Sequence, residues 1–455
     1  MNLKGRFLSI LAVLLLGAGL VYVAMRGDEN AGSSSESLFS RKTTINLWYT
    51  DDALTDYLNG VCVAYTDSQN EYRVEPTLID DTDYLQKIYD ASVADEDYPD
   101  LFLASNDMLE RLWLSGLATE VADTEHFGDN HTFCEAAIDA VTYQSKVIAY
   151  PMSFEAAAFL YNVDYLQSMA DNAGQTLEET VPQTMVDVIT LANDYDAPED
   201  VTAVLKWDVS DIFYNYCFLG NYMDIGGQYG DDTSQLHVYN QQLISCLQVY
   251  QQLNQFFSID SSSDDYDSVI QDFAAGRIVF TLATSDSVKK IAQYEKENGT
   301  TINYGVTQIP DLTSDLKTKT LSITNCLVIN GYSDQQEAAN AFAQYLLFDG
   351  MGDFFDRTGK ASALAAYSYS DDHMTGFYDA YTDSAPITKL RSASNFWMLL
   401  ENTFSKVWDG EDANEQLREL CQQLLIQMTG QEDVNVETIE NPTYVDIQSE
   451  LTGGE

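Results

Sequence analysis

TTINLWY at residues 43–49, YRVEPTLI at 72–79 and YPDLFLAS at 98–105 are short runs rich in β-branched and aromatic residues, separated by segments of helical period. After the first run, Thr50-Asp51-Asp52 stops the strand and can cap a helix that carries Leu54, Leu58, Val61 and Tyr65 on one face. DDTDYLQKIYDASVA (80–94) follows the second run, and NDMLERLWLSGL (106–117) follows the third. Alternation of strand and helix is the sequence sign of a parallel sheet with crossover helices, so the expected class is α/β.

The alternation resumes after KVIAYPMS (146–153). LISCLQVYQQLNQFF (243–257) is strongly periodic, with Leu243, Leu247, Tyr250, Leu253 and Phe257 on one stripe. GRIVFTLAT, INYGVTQIP and NCLVIN read as strands, whereas QEAANAFAQYLLF and ANEQLRELCQQLLIQM read as helices. Residues 27–42, GDENAGSSSESLFSRK, read as a flexible tether. Residues 431–455 hold many acids, no Lys or Arg and little periodicity, and are expected to be a disordered acidic tail. No internal repeat is evident.

The chain has 455 residues, enough for two or three domains, and a formal charge of −50. A field of that sign repels phosphate, which argues against nucleic acid as a partner. Its simplest role is to keep the surface solvated. The six cysteines (62, 134, 217, 246, 326 and 421) show no CxxC spacing. Several sit on apolar helical stripes, so buried free thiols are expected rather than disulfides.

At the N-terminus, Lys4 and Arg6 precede an uncharged run from Phe7 to Met25. Nineteen helical residues cover roughly the ~30 Å hydrocarbon core of a bilayer, and no small-x-small cleavage site closes the run. Residues 1–26 are therefore expected to anchor the chain in the cell membrane, with the bulk of it extracytoplasmic.

Enzyme motifs are missing. The sequence has no GxSxG, no HExxH and no Walker A loop, since Gly359-Lys360 is followed by Ala361 and lacks the earlier glycine. Gly350-Met351-Gly352 resembles the start of a dinucleotide fingerprint but follows a helix. His126 and His131 lie in a polar loop and are expected to be solvated rather than metal ligands. With 72 acidic residues, a glycosidase-like carboxylate pair has no specificity as a signal. No enzymatic activity, metal or cofactor is expected.

YQSKVIAYPMSFEAAAFLYNV (143–163) sharpens the reading. Its Tyr150-Pro151, Glu155 and Tyr161-Asn162 resemble the lobe-crossing segment of family 1 extracellular solute-binding proteins, the group typified by maltose-binding protein. Other segments resemble the family in the same order: INLWYTDD, YPDLFLASNDMLERLWLSGLATEV, VPQTMVDVITLAND, DFAAGRIVFTLATSD, INYGVTQIPDL and SNFWMLLENTFSKVWDG. The TLATSD loop departs from the pattern, lacking an aromatic where a sugar-stacking Trp often sits.

The resemblance implies two lobes, each a mostly parallel sheet flanked by helices, of periplasmic-binding-protein type. Lobe 1 would hold residues 43–153 and 318–363, and lobe 2 residues 154–317 and 364–430. It implies capture of a sugar or oligosaccharide between the lobes and delivery to the permease of an ABC transporter, by a monomer. A polyamine binder of the same fold, and a sensor or adhesion protein without transport, are the alternatives; a glycan-cleaving enzyme is disfavoured. Ligands bind at the carboxyl ends of strands in open α/β sheets, which points to Thr50, Asp51 and Asp52 after the first strand, while the resemblance of INLWYTDD adds Trp48. Ser105, Asn106 and Asp107 stand likewise after the third, although both groups are also natural helix caps. By the resemblance, Glu155, Asp211, Phe213 and Trp397 complete the ligand-binding set. Sugars offer C–H faces to rings and hydroxyls to carboxylates, which suits these residue types.

The expected anchor has a direct check. The mature protein should retain Phe7–Met25 and fractionate with membranes, whereas an N-terminus mapped beyond Met25 in intact cells would contradict it.

Overall fold

A computed structural model describes residues 42–447, apart from 80–81, 124, 129–131, 195–196, 258 and 262. The Phe7–Met25 run, residues 448–455 of the expected tail and His131 lie outside the described residues. Among the described residues no helix is long and apolar enough to cross a membrane.

The strands that matter are β1 (Thr43–Tyr49), β2 (Tyr72–Leu78), β3 (Leu101–Ser105), β4 (Tyr150–Ala156), β5 (Ala158–Asn162), β6 (Ala203–Lys206), β7 (Ile278–Ala283), β8 (Tyr304–Thr307), β9 (Leu321–Ile329), β10 (Ala361–Ser362) and β11 (Ala385–Pro386). The first lobe holds a seven-stranded sheet in the order β10-β4-β9-β3-β1-β2, with β11 beside β9. The second holds four strands in the order β8-β5-β7-β6. Successive side chains of β1 point to opposite faces. Ile45, Leu47 and Tyr49 pack with the helices Thr55–Ser68 and Gln336–Phe348, while Trp48 packs with Tyr84–Ala94 on the other face. Burial on both faces is what a sheet sandwiched between helix layers requires.

Neither sheet is mostly parallel, which corrects the sequence expectation. β1 runs parallel to β3 and β7 to β6, but β9 is antiparallel to both β3 and β4. In the second sheet β5 is antiparallel to β7 and to β8. The reason is topological. β4 leaves the first lobe through the fully buried Ala157 and continues as β5, and β9 brings the chain back beside it, Ser322 opposite Ala156. A strand that returns across a hinge must run against the one that left. A third crossing lies alongside, where Ala385 N–H donates to Thr320 O at 2.8 Å and Ile387 N–H to Ser322 O at 3.0 Å.

Beneath the crossings, Phe154 of β4 stacks on Tyr381 with centroids 4.0 Å apart, and the Tyr381 hydroxyl meets Thr324 Oγ1 at 2.8 Å. The second lobe's core is built on Gln241–Phe256, Phe396–Trp408 and Ala413–Thr429. Inside it, the Trp207 indole N–H donates to Asn215 Oδ1 at 2.9 Å, which satisfies the polar edge of a fully buried ring. All six cysteines are free.

Two further expectations are corrected. The acidic segment after Gly430 is bound as far as Ile447, which is fully buried. Gln252 Nε2 donates to Val445 O at 2.8 Å and Asn414 Nδ2 to Ile439 O at 3.0 Å, so side-chain amides hold an extended strip that has no period of its own. His126 is not simply solvated either. Its ring stacks on Phe348 at 3.8 Å and its Nδ1 lies 2.6 Å from Asp123 Oδ2.

The lobes also touch away from the crossings. Gln228 Nε2 donates to both Asp139 carboxylate oxygens at 3.3 Å, and Gln144 N–H donates to Asp231 Oδ2 at 2.5 Å. Lys389, 1% exposed, donates from Nζ to Asp139 O at 2.9 Å and to Tyr229 O. Burial pushes its ammonium down to about 8, with Asp231 and Asp139 pulling the other way. Because folding lowers this value from 10.5, the unfolded chain keeps the proton where the folded chain has lost it. Stability owed to Lys389 should therefore rise as pH climbs from about 8 toward 10.5. Urea unfolding at neutral and alkaline pH should show the wild type gaining on Lys389→Met by on the order of 2 kcal/mol. A pH-independent difference would contradict this.

Candidate functional site

β1 and β3 end side by side, and the residues that follow them, Thr50, Asp51 and Ser105, line one depression with Met152 and Ser153 of β4 and with Lys360. The first loop is set by a cap and the second by a side-chain hydrogen bond. Asp51 Oδ1 accepts Ala53 N–H at 3.0 Å, and Ser105 donates its hydroxyl to Asp107 Oδ1. With Oδ1 used as a cap, Asp51 turns Oδ2 to Lys360 Nζ at 2.6 Å. Capping and site-building are thus done by the same carboxylate.

Glu155 follows on β4. Burial pushes its carboxyl up from the ordinary range, Lys360 opposes that, and Asp286 and Asp51 add to it. None of the described residues hydrogen-bonds to its carboxylate. Since Asp286 belongs to the second lobe and Asp51 to the first, the field at Glu155 is that of a cleft between the two.

The facing wall comes from the loop after β7 and from two helix starts. Asp286 Oδ1 accepts the Tyr266 hydroxyl at 2.7 Å and the Thr284 hydroxyl at 2.5 Å. Tyr266 opens the helix Tyr266–Ala274 and stacks on Tyr214, with centroids 5.2 Å apart and planes 16° from parallel. Phe213 meets Tyr214 edge-on at 5.8 Å. Asp211 caps the short helix Ile212–Asn215 through Phe213 N–H at 2.8 Å, and burial raises its carboxyl. Lys290 closes the wall from behind, with Nζ 4.9 Å from the Tyr266 ring centroid and 3.5 Å from Asp286 Oδ2.

The structure thus brings Thr50, Asp51 and Ser105 into one depression, puts Glu155 within the fields of Asp51 and Asp286, and groups Asp211 and Phe213 with Tyr214, Tyr266 and Asp286 on the second lobe. Asp52 is exposed beside Asp51, and Asp107 serves the Ser105 turn. Three candidates are placed elsewhere. Trp48 is 8% exposed and belongs to the core against Tyr84 and Ile88. Asn106 is fully buried, its Nδ2 donating to Ile387 O at 3.2 Å and its Oδ1 accepting Thr324 N–H at 2.9 Å, so both ends of the amide are spent on the fold. Trp397 contacts Tyr216 at 5.7 Å and lines a separate groove with Asp139, Asp224, Gln228 and Lys319. That groove runs along the crossings and shares no lining residue with the depression at Asp51.

Sequence reasoning missed Lys360, Tyr214, Tyr266 and Asp286. A signal existed for the last two. The missing aromatic of TLATSD is supplied by Tyr266 after the acid run SSSDDYD, an N-cap followed by a ring. Among the described residues no group of His, Cys, Asp and Glu is arranged to hold a metal ion. Chemically, the arrangement offers hydroxyl acceptors, the paired ammoniums of Lys360 and Lys290, and the ring of Tyr266 backed by the buried Tyr214.

Solved structures share this architecture. An extracellular solute-binding protein from Staphylococcus aureus, in complex with maltose, is 19% identical with a TM-score of 0.71, over 86% of this chain and 99% of that one. A maltose-binding periplasmic protein from Listeria monocytogenes, also with maltose, is 19% identical with a TM-score of 0.69, over 87% and 100%. A cyclo/maltodextrin-binding protein complexed with maltotetraose is 16% identical with a TM-score of 0.69, over 85% and 98%. At these identities the likeness is one of fold. Among curated proteins none matches by sequence. The sequence profile of the bacterial extracellular solute-binding proteins nonetheless matches residues 61–349, and the chain belongs to that family.

Proposed function

We propose that the protein captures a neutral sugar or short oligosaccharide between its lobes and delivers it to the permease of an ABC transporter, held at the membrane by Phe7–Met25. The observation that carries this reading is the pairing of an aromatic surface with carboxylates across a cleft. Tyr266, backed by the buried ring of Tyr214, is held by Asp286, whose charge acts on Glu155 together with those of Asp51 and Lys360. A pyranose can lay its C–H face on the rings and donate its hydroxyls to the carboxylates. A ligand that bridges both walls stabilises the closed arrangement, and no bond need be made or broken. That three solved proteins of this fold were found with maltose or maltotetraose supports the same ligand class.

A second reading has its own observation. Asp51, Glu155 and Asp286 outnumber Lys360 around the cleft, which suits a polyamine. Salt separates the two, because a di- or tri-cation held by carboxylates weakens several-fold as charges are screened while a stacked neutral ligand does not.

Calorimetry with maltotetraose as the probe should show binding nearly unchanged between low salt and about 0.5 M sodium chloride. Tyr266→Ala should cost about 2 kcal/mol of that binding, as loss of a stacking anchor does, while Trp397→Ala leaves it within about two-fold. Salt-sensitive binding of spermidine with none of maltotetraose or other glycans would overturn the sugar reading and leave the fold intact.

A further inference from the structure

On the flank of the first lobe, the helices Tyr84–Ala94 and Leu109–Leu114 enclose a shallow groove floored by Leu85, Leu112 and Leu117. Tyr89 and Leu114 stand on its rim, 38% and 64% exposed. Two arginines complete it, Arg111 from the same lobe and Arg391 from the segment that leads into the second lobe's core through Leu390 and Ala393. Arg391 is held there by its backbone N–H, which donates to Glu110 Oε2 at 2.5 Å. The groove is therefore composite. It is whole only while the two lobes are in contact.

Its charge is unlike the rest of the molecule. The chain has 72 acidic and 22 basic residues, and Lys146, Lys206, Arg277, Lys317 and Lys360 each face a carboxylate. Among the described residues the guanidinium of neither Arg111 nor Arg391 forms an ion pair, and the one carboxylate beside them, Glu110, is engaged by Arg391 N–H. Both are exposed, next to apolar surface, in a protein of charge −50. A guanidinium fork matches a carboxylate in two parallel hydrogen bonds, and an exposed leucine beside it rewards an apolar neighbour. Anionic bilayers fit poorly, because the rest of the molecule repels them.

Resting on the reading of the chain as a binding protein that hands on its ligand, we propose that this groove is where a protein partner recognises the closed form. The partner segment places carboxylates on Arg111 and Arg391 and an apolar side chain over Leu114 and Leu85. Recognition of closure follows from the construction, since opening the lobes withdraws Arg391 and leaves half the site. Ligand occupancy and partner affinity are then linked through one equilibrium.

The test uses the full chain and two fluorescein-labelled probes, the acidic peptide Ac-GDLFEG-NH2 and its amide counterpart Ac-GNLFQG-NH2. Anisotropy should show the acidic peptide binding at least five-fold more tightly, and that preference should shrink several-fold between about 0.05 and 0.5 M sodium chloride. The double variant Arg111→Gln, Arg391→Gln should lose the preference. Its circular dichroism melt and its calorimetric titration with maltotetraose should match the wild type. Equal binding of the two peptides, or a preference that survives in the double variant, would overturn the proposal. So would binding to phosphatidylglycerol vesicles that the double variant loses, since the groove would then serve lipid. The maltotetraose titration stands apart from the peptide arms, so a wrong ligand class and a wrong docking surface give different results.

Discussion

Ala157, Thr320-Leu321 and Ala385-Pro386 lie side by side, and the chain passes from one lobe to the other at these crossings. The pairing of β9 with β4 forces the antiparallel strands into both sheets and leaves the strand ends of the first lobe pointing at the second. It also limits what can move. A joint of hydrogen-bonded strands, packed on the Phe154–Tyr381 stack, bends as a hinge more readily than it slides. Contacts outside the joint, at Lys389, Gln228 and Gln144, are few and polar, which suits surfaces that must part.

The cleft inherits its chemistry from this geometry. Strand ends need caps, caps are short acids and hydroxyls, and the crossings aim them at one another. Asp51 caps with one oxygen and pairs with Lys360 through the other, so its carboxylate is fixed before any ligand arrives. Asp286 is fixed in the same way by two hydroxyls. Such pre-set acceptors reduce the ordering that binding requires. Glu155 differs, because its half-buried carboxylate has no hydrogen-bonding partner among the described residues and is open to a ligand hydroxyl.

Much of this was legible in the sequence, and what was not had local causes. The first three strands and helices follow from periodicity alone, and Glu155 was singled out by the resemblance of the 143–163 segment to the lobe-crossing stretch of solute-binding proteins. Strand direction was not legible, since antiparallel return across a hinge leaves the same apolar run as a parallel core strand. Asn106 and Trp48 sit close in sequence to residues that line the depression at Asp51, and a step of one residue along a strand turns a side chain from one face to the other. Lys360 was weighed only as part of a phosphate loop, whereas its partner Asp51 lies far away in sequence. Tyr266 replaces the expected ring of the TLATSD loop from a neighbouring helix, a substitution in space that no linear motif records. The segment after Gly430 lacks period because it binds through its backbone to Gln252 and Asn414.

We propose that ligand binds where Tyr266 and Asp286 of one lobe approach Asp51, Glu155 and Lys360 of the other. A crystal structure of the protein grown with saturating maltotetraose tests it most directly. The account predicts a pyranose ring lying against Tyr266, with hydroxyls on Asp286 and Glu155. Density for the sugar in the groove at Trp397, or a cleft left empty while sugar binds elsewhere, would contradict it.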